Sequence, residues 1–277
     1  MRKKLVITRV GRQAPQSSQV WPEELPVPLA ERAEQLYPLI ASGTGTREEY
    51  LELAGELAKQ MLYRQSAAAL SAWLTGHPFD AECYCLRGRR YLAMMQYEQG
   101  AADLEMSARL DPDNWSTEYH RGLVHFIRGD FARASQAFLH CHALSADGGS
   151  LISAANWCYL SLMRQGRRAE AEALVGAIGE DIDYDENYSY YKSVMLFSGR
   201  MSVEEALKVD EDDLPDITLA VNAYAAANYY LARGEMEQAR HYLDVTVQAA
   251  APQMWSAFAY HAARADLKRL FQEGAPC

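Results

Sequence analysis

The sequence predicts an all-α protein built from repeated pairs of antiparallel helices. Three observations support this prediction. Strong helix formers such as Ala, Leu, Glu, Gln, Met and Arg dominate the chain after about residue 28. Only ten prolines and 17 glycines occur among 277 residues, and 49% of the residues are hydrophobic, enough to bury a continuous core. The third observation is an internal repeat with a period of 34 residues.

The N-terminal part differs in composition from the rest. Residues 1–27 are predicted to be an extended or flexible arm, because Pro22, Pro26 and Pro28 prevent a helix before residue 28. The alternative prediction for residues 4–10 is that they pack as a strand in a groove of the protein. From residue 28 to residue 277 we expect helical repeats, opened by a helix near residues 29–40.

The repeat appears when residues 47–80, 81–114 and 115–148 are aligned without gaps. Small residues share the eighth and twentieth places, and large apolar residues share the seventeenth and twenty-fourth. The small residues are Ala54, Gly88, Gly122, Ser66, Gly100 and Ala134, and the large ones are Tyr63, Tyr97, Phe131, Leu70, Leu104 and Phe138. Small side chains let two paired helices approach closely while large ones fill the space around them, so each copy predicts one helical hairpin.

The middle copy resembles the tetratricopeptide-repeat (TPR) family. The resemblance is carried by Tyr84-x-x-x-Gly88-x-x-Tyr91, then Tyr97-x-x-Gly100-x-x-x-Leu104 and Leu110-Asp-Pro-Asp-Asn114. It implies a right-handed α-α superhelix, a TPR solenoid, with about five to six helical hairpins and capping helices. It also implies a non-catalytic protein that binds other polypeptides.

After residue 148 the repeat loses its phase, but hairpin patterns continue. Degenerate units are predicted at about 152–178 and 186–208, followed by a near-consensus unit at about 216–250. A capping helix at about 254–271 is expected to cover the apolar face of the last unit.

This order of units is similar to that of the NlpI-type bacterial TPR lipoproteins. The similarity is carried by residues 197–206, with their Phe-Ser-Gly-Arg-Met-Ser turn, and by residues 229–235. The lipid-anchor cysteine of that family is missing, so membrane attachment is not expected here. The resemblance implies an adaptor that recruits partners.

Composition argues against several classes of function. A net charge of −10 and a pI near 5.2 disfavour binding to nucleic-acid phosphates. No stretch approaches the roughly 18 apolar residues needed to span a bilayer, so a membrane partner is not expected. Five cysteines without a Cys-x-x-Cys pattern suit a reducing compartment, and the cytoplasm is predicted.

The residues that could carry chemistry favour no reaction. His140-Cys141-His142 and the Cys83/Cys85 pair point in diverging directions on a helix, so neither predicts a metal site. The acidic run 181–187 lacks the glycine and the bidentate glutamate of a calcium loop, and it is either a solvated loop or a docking surface for a basic peptide. Because no nucleophile-elbow, phosphate-loop or zinc-protease motif occurs, we expect no enzyme and no cofactor.

The partner-binding face is predicted from the resemblance, because the first helix of each TPR unit lines the concave groove. The expected partner-binding residues are Arg89, Tyr119, His120, Leu123, Phe126, Asn156, Trp157, Tyr224 and Asn228. They predict an apolar and aromatic groove. The alternative for Tyr119, Phe126 and Trp157 is that they only pack between neighbouring repeats and bind no partner.

The leading functional prediction is therefore a cytoplasmic TPR scaffold or adaptor that binds a peptide or a folded protein. Two alternatives come from other classes. One is a co-chaperone or secretion-type chaperone for unfolded clients, and the other is a structural scaffold that self-associates through its terminal helices.

Overall fold

A computed structural model describes residues 28–184, 186–209, 215–250 and 257–271. These residues form fourteen helices, with no β-strand among them, so the all-α prediction is confirmed. The predicted N-terminal arm, Cys277 and the first residues of the predicted capping helix, 254–256, lie outside the described residues. The chain divides after Pro112 into two compact units.

The described part of unit 1 contains five helices that pack in chain order. They are α1 (Glu31–Ala41), α2 (Arg47–Lys59), α3 (Tyr63–Gly76), α4 (Ala81–Ala93) and α5 (Tyr97–Leu110). The starts of α2 and α4 lie 34 residues apart, as do those of α3 and α5. Each helix makes its main contacts with the helix before and after it, so α2–α3 and α4–α5 form two helical hairpins.

Small residues allow the close approach of α4 and α5. A Cβ atom added at Gly88 would lie 2.9 Å from Cγ of Leu104 and 3.2 Å from the carbonyl oxygen of Gly100. Local sequence defines where these helices begin. Thr46 and Glu49 form a capping box at α2, and the Asp80 carboxylate accepts a hydrogen bond from the backbone amide of Cys83 at α4.

Unit 2 contains nine described helices. They are α6 (Trp115–Arg128), α7 (Phe131–Leu144), α8 (Gly148–Arg164), α9 (Arg168–Gly176), α10 (Tyr188–Phe197), α11 (Val203–Ala206), α12 (Pro215–Leu231), α13 (Met236–Ala250) and α14 (Phe258–Phe271). The pairs α6–α7, α8–α9 and α12–α13 are hairpins. Gly129 ends α6 in the left-handed conformation, with φ of 86°, which lets α7 turn back at once.

The last helix connects parts of unit 2 that are distant in sequence. Helix α14 packs on α13, and it also contacts α12 and α6. The Arg269 guanidinium donates a hydrogen bond to the carbonyl of Ile127 at the end of α6, over a distance of 3.1 Å. The sequence pattern did not predict this contact with α6.

Candidate protein-binding site

An open cavity of about 680 Å³ lies in unit 2 where three helices begin. We call it the α6–α8–α10 pocket. The start of α6, the end of α7, the start of α8 and the start of α10 supply its walls. The lining residues are Asn114, Trp115, Ser116, Tyr119, Leu144, Ala146, Asp147, Ser150, Ser153, Asn187 and Tyr190. Its volume is within the usual range for ligand pockets, about 300–1,000 Å³.

Residues that start helices bring the polar groups to this pocket. Asn114 precedes α6 and accepts a hydrogen bond from the amide of Thr117, and Asp147 precedes α8 and accepts one from the amide of Ser150 at 2.7 Å. This hydrogen bond from the Ser150 backbone, with a second from the Ser150 side chain, lowers the pKa of Asp147, so its carboxylate is ionised at neutral pH. Asn187 precedes α10 and accepts a hydrogen bond from the Ser153 hydroxyl.

Aromatic rings form the apolar part of the pocket. Trp115 and Tyr119, one turn apart on α6, are stacked with ring centroids 4.8 Å apart and planes 11° apart. The hydroxyl of Tyr119 and the indole nitrogen of Trp157 both donate to the hydroxyl of Tyr190, each over 3.3 Å. Burial raises the pKa of both tyrosines, so they are neutral, and the hydrogen bonds to Tyr190 hold the rings in place.

Most of the partner-binding residues predicted from the sequence are interior residues of unit 2. Tyr119 lies on the pocket wall with 7% of its surface exposed, whereas Phe126 and Trp157 are each only 1% exposed. The others in unit 2 are also buried: His120, Leu123, Asn156, Tyr224 and Asn228. Arg89 lies in unit 1 and is partly exposed. Phe126 and Trp157 are thus packed in the interior of unit 2, and partner binding through the predicted residues stays a prediction.

The position of α14 explains part of this burial. Its Phe258 ring contacts the ring of His120, with centroids 5.6 Å apart. Its Asp266 carboxylate accepts hydrogen bonds from Arg164 of α8 at 2.6 Å and from the Tyr224 hydroxyl of α12 at 2.9 Å. Helix α14 thus covers the face of α6, α8 and α12 that the sequence predicted to be an open groove. The α6–α8–α10 pocket is open.

Several pocket residues were not identified from the sequence. Trp115, Asp147, Asn187 and Tyr190 line the pocket, yet none was among the predicted partner-binding residues. Asn and Asp immediately before a helical pattern are recognisable as helix N-caps, so a sequence signal existed for Asp147 and Asn187. What the sequence did not show is that three helix starts separated by up to 73 residues meet at one place.

The cysteines that the structure describes pack in the interior. Cys141 is buried, its thiol donates to the carbonyl of Trp115, and burial raises its pKa. Burial also raises the pKa of Cys83 to about 12. Among the residues that the structure describes, no group of three His, Cys, Asp or Glu side chains could hold a metal ion. None of the described helices combines the length and apolar character that crossing a bilayer requires.

Comparison with known proteins identifies the fold. No family model matches the chain. The solved structure of YrrB, a TPR protein described as having an unusual peptide-binding site, is similar at 17% identity and a TM-score of 0.50, covering 84% of this chain and 99% of that one. A TPR protein from Parabacteroides merdae ATCC 43184 is similar at 14% identity and a TM-score of 0.52, covering 84% of this chain and 98% of that one.

These similarities, together with the helical hairpins, show that the chain has a TPR-type fold, an α-α solenoid. At these identities they establish the fold alone. The NlpI-like order of units stays a prediction.

Proposed function

We propose that this protein is a non-catalytic scaffold or adaptor that binds a peptide segment of a partner protein in the α6–α8–α10 pocket. The observation that carries the proposal is the open pocket itself, which joins a stacked Trp115–Tyr119 pair to polar side chains at three helix starts. Proteins with this fold commonly bind polypeptides, and one similar structure is described as having a peptide-binding site.

The composition of the pocket suits a peptide. Interfaces that bind polypeptides are enriched in Trp and Tyr, because large rigid rings bury much apolar area and lose little conformational entropy. A bound peptide also carries amides and carbonyls that need hydrogen-bond partners. Asn187, Ser150 and Ser153 add amide and hydroxyl groups to the lining of the pocket.

A comparison of three baits tests the proposal. The full chain, a Trp115→Ala variant and a Phe79→Ala variant are used to capture proteins from a cell lysate, and mass spectrometry identifies the captured proteins. Phe79 is the matched control because it is an aromatic residue of unit 1 with 82% of its surface exposed. Circular dichroism checks that both variants keep their helices.

We expect one or a few proteins to be captured by the full chain and by Phe79→Ala but lost with Trp115→Ala. A broad set of unfolded proteins would instead favour the chaperone alternative, and capture of the same chain alone would favour the self-associating scaffold. Equal capture by all three baits would contradict a binding role for the pocket.

A further inference from the structure

We infer that the α6–α8–α10 pocket is selective for a basic peptide and holds one of its arginine side chains against Trp115 and Tyr119. The inference rests on the proposed function and names the chemistry of the partner. It follows from the charges around the pocket, from the loop that lies beside it and from the aromatic pair on its wall.

The three chain segments around the pocket carry acidic charges only. Residues 113–119, 144–153 and 180–190 contain no Lys or Arg. Among the described residues of these segments, the exposed acids are Asp113, Asp147, Glu180, Asp181, Asp183 and Glu186. The nearest basic residues along the chain have other contacts: Arg121 pairs with Glu118 at 2.7 Å, and buried Lys192 donates to the carbonyl of Lys208 at 2.6 Å. A cleft lined by one sign of charge attracts the opposite sign.

The acidic loop lies directly against the pocket wall. The backbone carbonyl of Asp183 is so close to Gly148 that a Cβ atom there would collide with it, and the carbonyl of Tyr184 would lie 3.3 Å from a Cβ at Gly149. Gly148 and Gly149 begin α8 immediately after Asp147. The loop continues into Asn187, which is itself a lining residue. The described residues of the acidic run therefore lie beside the pocket.

The helix dipoles oppose the carboxylates, because they favour an anion in the pocket, and their effect is the weaker of the two. Three helix N-termini meet here, and each carries the equivalent of about half a positive charge, which favours an anion. At α6 and α8, however, the side chains of Asn114 and Asp147 already accept first-turn amide hydrogens. Asp147 also brings a full negative charge to α8. This full charge, with the exposed acids of the neighbouring segments, exceeds the partial charges of the dipoles, and the balance favours a cation.

The aromatic pair favours arginine over lysine. A guanidinium group is planar and stacks on an aromatic face, with Trp the strongest partner, whereas an ammonium group is a compact and strongly hydrated point charge. Trp115 is stacked on Tyr119, and its indole nitrogen donates to the hydroxyl of Ser145 at 3.0 Å, so the ring plane is held before a ligand arrives. Asp147 provides the carboxylate with which a guanidinium can form a bidentate pair.

Fluorescence polarisation with synthetic peptides tests the inference on the full chain. The probe is a fluorescein-labelled peptide of four Gly-Ser-Arg repeats, measured at about 150 mM salt so that long-range attraction is screened. Matched peptides carry Lys, Gln or Glu in place of Arg. We expect the Arg peptide to bind most tightly, the Lys and Gln peptides more weakly, and the Glu peptide not to bind.

Two variants and two controls locate the binding site. Asp147→Asn removes the charge but keeps a good N-cap, so α8 should still form. We expect Asp147→Asn and Trp115→Ala each to weaken binding of the Arg peptide by about fivefold to tenfold. Phe79→Ala and Glu237→Gln, which change exposed residues outside the pocket, should bind as the unchanged chain does.

The other outcomes separate the inference from the proposed function. If the Gln peptide binds as tightly as the Arg peptide and Trp115→Ala abolishes both, the pocket binds peptides but the arginine inference is wrong. Tighter binding of the Glu peptide, Arg binding that neither pocket variant weakens, or no binding of any peptide would also overturn it. The proposed function itself fails only if the lysate experiment finds no partner that depends on Trp115.

Discussion

The two units hold their helices together in different ways. In unit 1 the main contacts join helices that follow one another in the chain, from α1 on α2 to α4 on α5. Unit 2 has such contacts too, but it adds α8 with α10, α10 with α12, and α14 with both α6 and α12. Unit 1 is therefore stabilised by a local repeat, whereas unit 2 is closed by contacts between distant segments.

A buried ion pair in each unit shows the same contrast. In unit 1, Arg87 of α4 forms a bidentate pair with Asp103 of α5, 16 residues away, with both distances 2.7 Å. In unit 2, Arg164 of α8 pairs with Asp266 of α14, 102 residues away, at 2.6 Å. Asp266 also accepts from Arg269 and Tyr224. The first pair strengthens one hairpin, and the second joins the last helix to the middle of its unit.

The largest effect should come from Asp266→Ala. This variant removes a carboxylate that is 1% exposed and leaves two guanidinium groups and a tyrosine without it, so we expect a loss of about 3–5 kcal/mol in the free energy of unfolding. Chemical denaturation measures the loss, and hydrogen exchange with mass spectrometry should show faster exchange in α14.

Asp103→Ala is the matched change in unit 1. We expect it to cost less, because Asp103 pairs with one guanidinium group and its side chain is 9% exposed, whereas Asp266 has two guanidinium groups and a tyrosine as partners and is 1% exposed. Equal losses for the two variants, or unchanged exchange in α14 for Asp266→Ala, would show that the long-range pair does not close unit 2.

The next effect tests the packing of α6 on α7. A Cβ atom at Gly122 would lie 2.7–2.8 Å from three ring atoms of buried Phe138, so Gly122→Leu should force these helices apart and cost about 1–3 kcal/mol. Thermal unfolding measures the change. The control is Gly55→Leu in unit 1, where a Cβ meets nothing within 4 Å. An unchanged melting temperature for Gly122→Leu would refute the packing.

The smallest effect concerns two helix caps at equivalent places of the repeat. Asp80 caps α4 in unit 1, and Asn114 caps α6 in unit 2. Burial alone would raise the pKa of Asp80, but hydrogen bonds from Arg47, the Cys83 amide and the Trp73 indole together hold it well below its usual range. Asp80→Asn gives α4 a neutral Asn cap like that of α6. We expect it to lower the free energy of unfolding by on the order of 1 kcal/mol at pH 7.

This cost should depend on pH. Because the folded-state pKa of Asp80 is lowered, its stabilisation is complete above the unfolded pKa of about 3.9 and is lost as pH falls below that value toward the folded pKa. Urea unfolding measures the free energy of unfolding of the unchanged chain and of Asp80→Asn. The difference between the two should therefore shrink as the pH is lowered from 5 to 2. A difference that is constant over this range would contradict the ion pair of Asp80 with Arg47.

Particular residues show how far the sequence could lead toward the site. The repeat marked Tyr119, which does lie on the pocket wall, and it marked Phe126 and Trp157, which are buried against each other and against rings of α7, α10 and α12. The acidic run 181–187 predicts either a solvated loop or a docking surface for a basic peptide, but the position of Asp183 and Tyr184 beside Asp147 depends on the packing of their loop on the start of α8. A periodic pattern defines which face of a helix is apolar, and it does not identify the segment that covers that face.

The sequence by itself determined the helical hairpins, because small residues at Gly88 and Gly122, turn glycines such as Gly129 and N-caps such as Asp80 act over one or two helices. The tertiary structure alone decided that α14 covers the predicted groove and that three helix starts form an open pocket. Those outcomes depend on hydrogen bonds, ion pairs and ring contacts between residues up to 142 positions apart, such as the hydrogen bond from Arg269 to the carbonyl of Ile127. A pattern that repeats every 34 residues describes contacts within one hairpin and between neighbouring hairpins. It therefore contains no information about contacts between more distant segments.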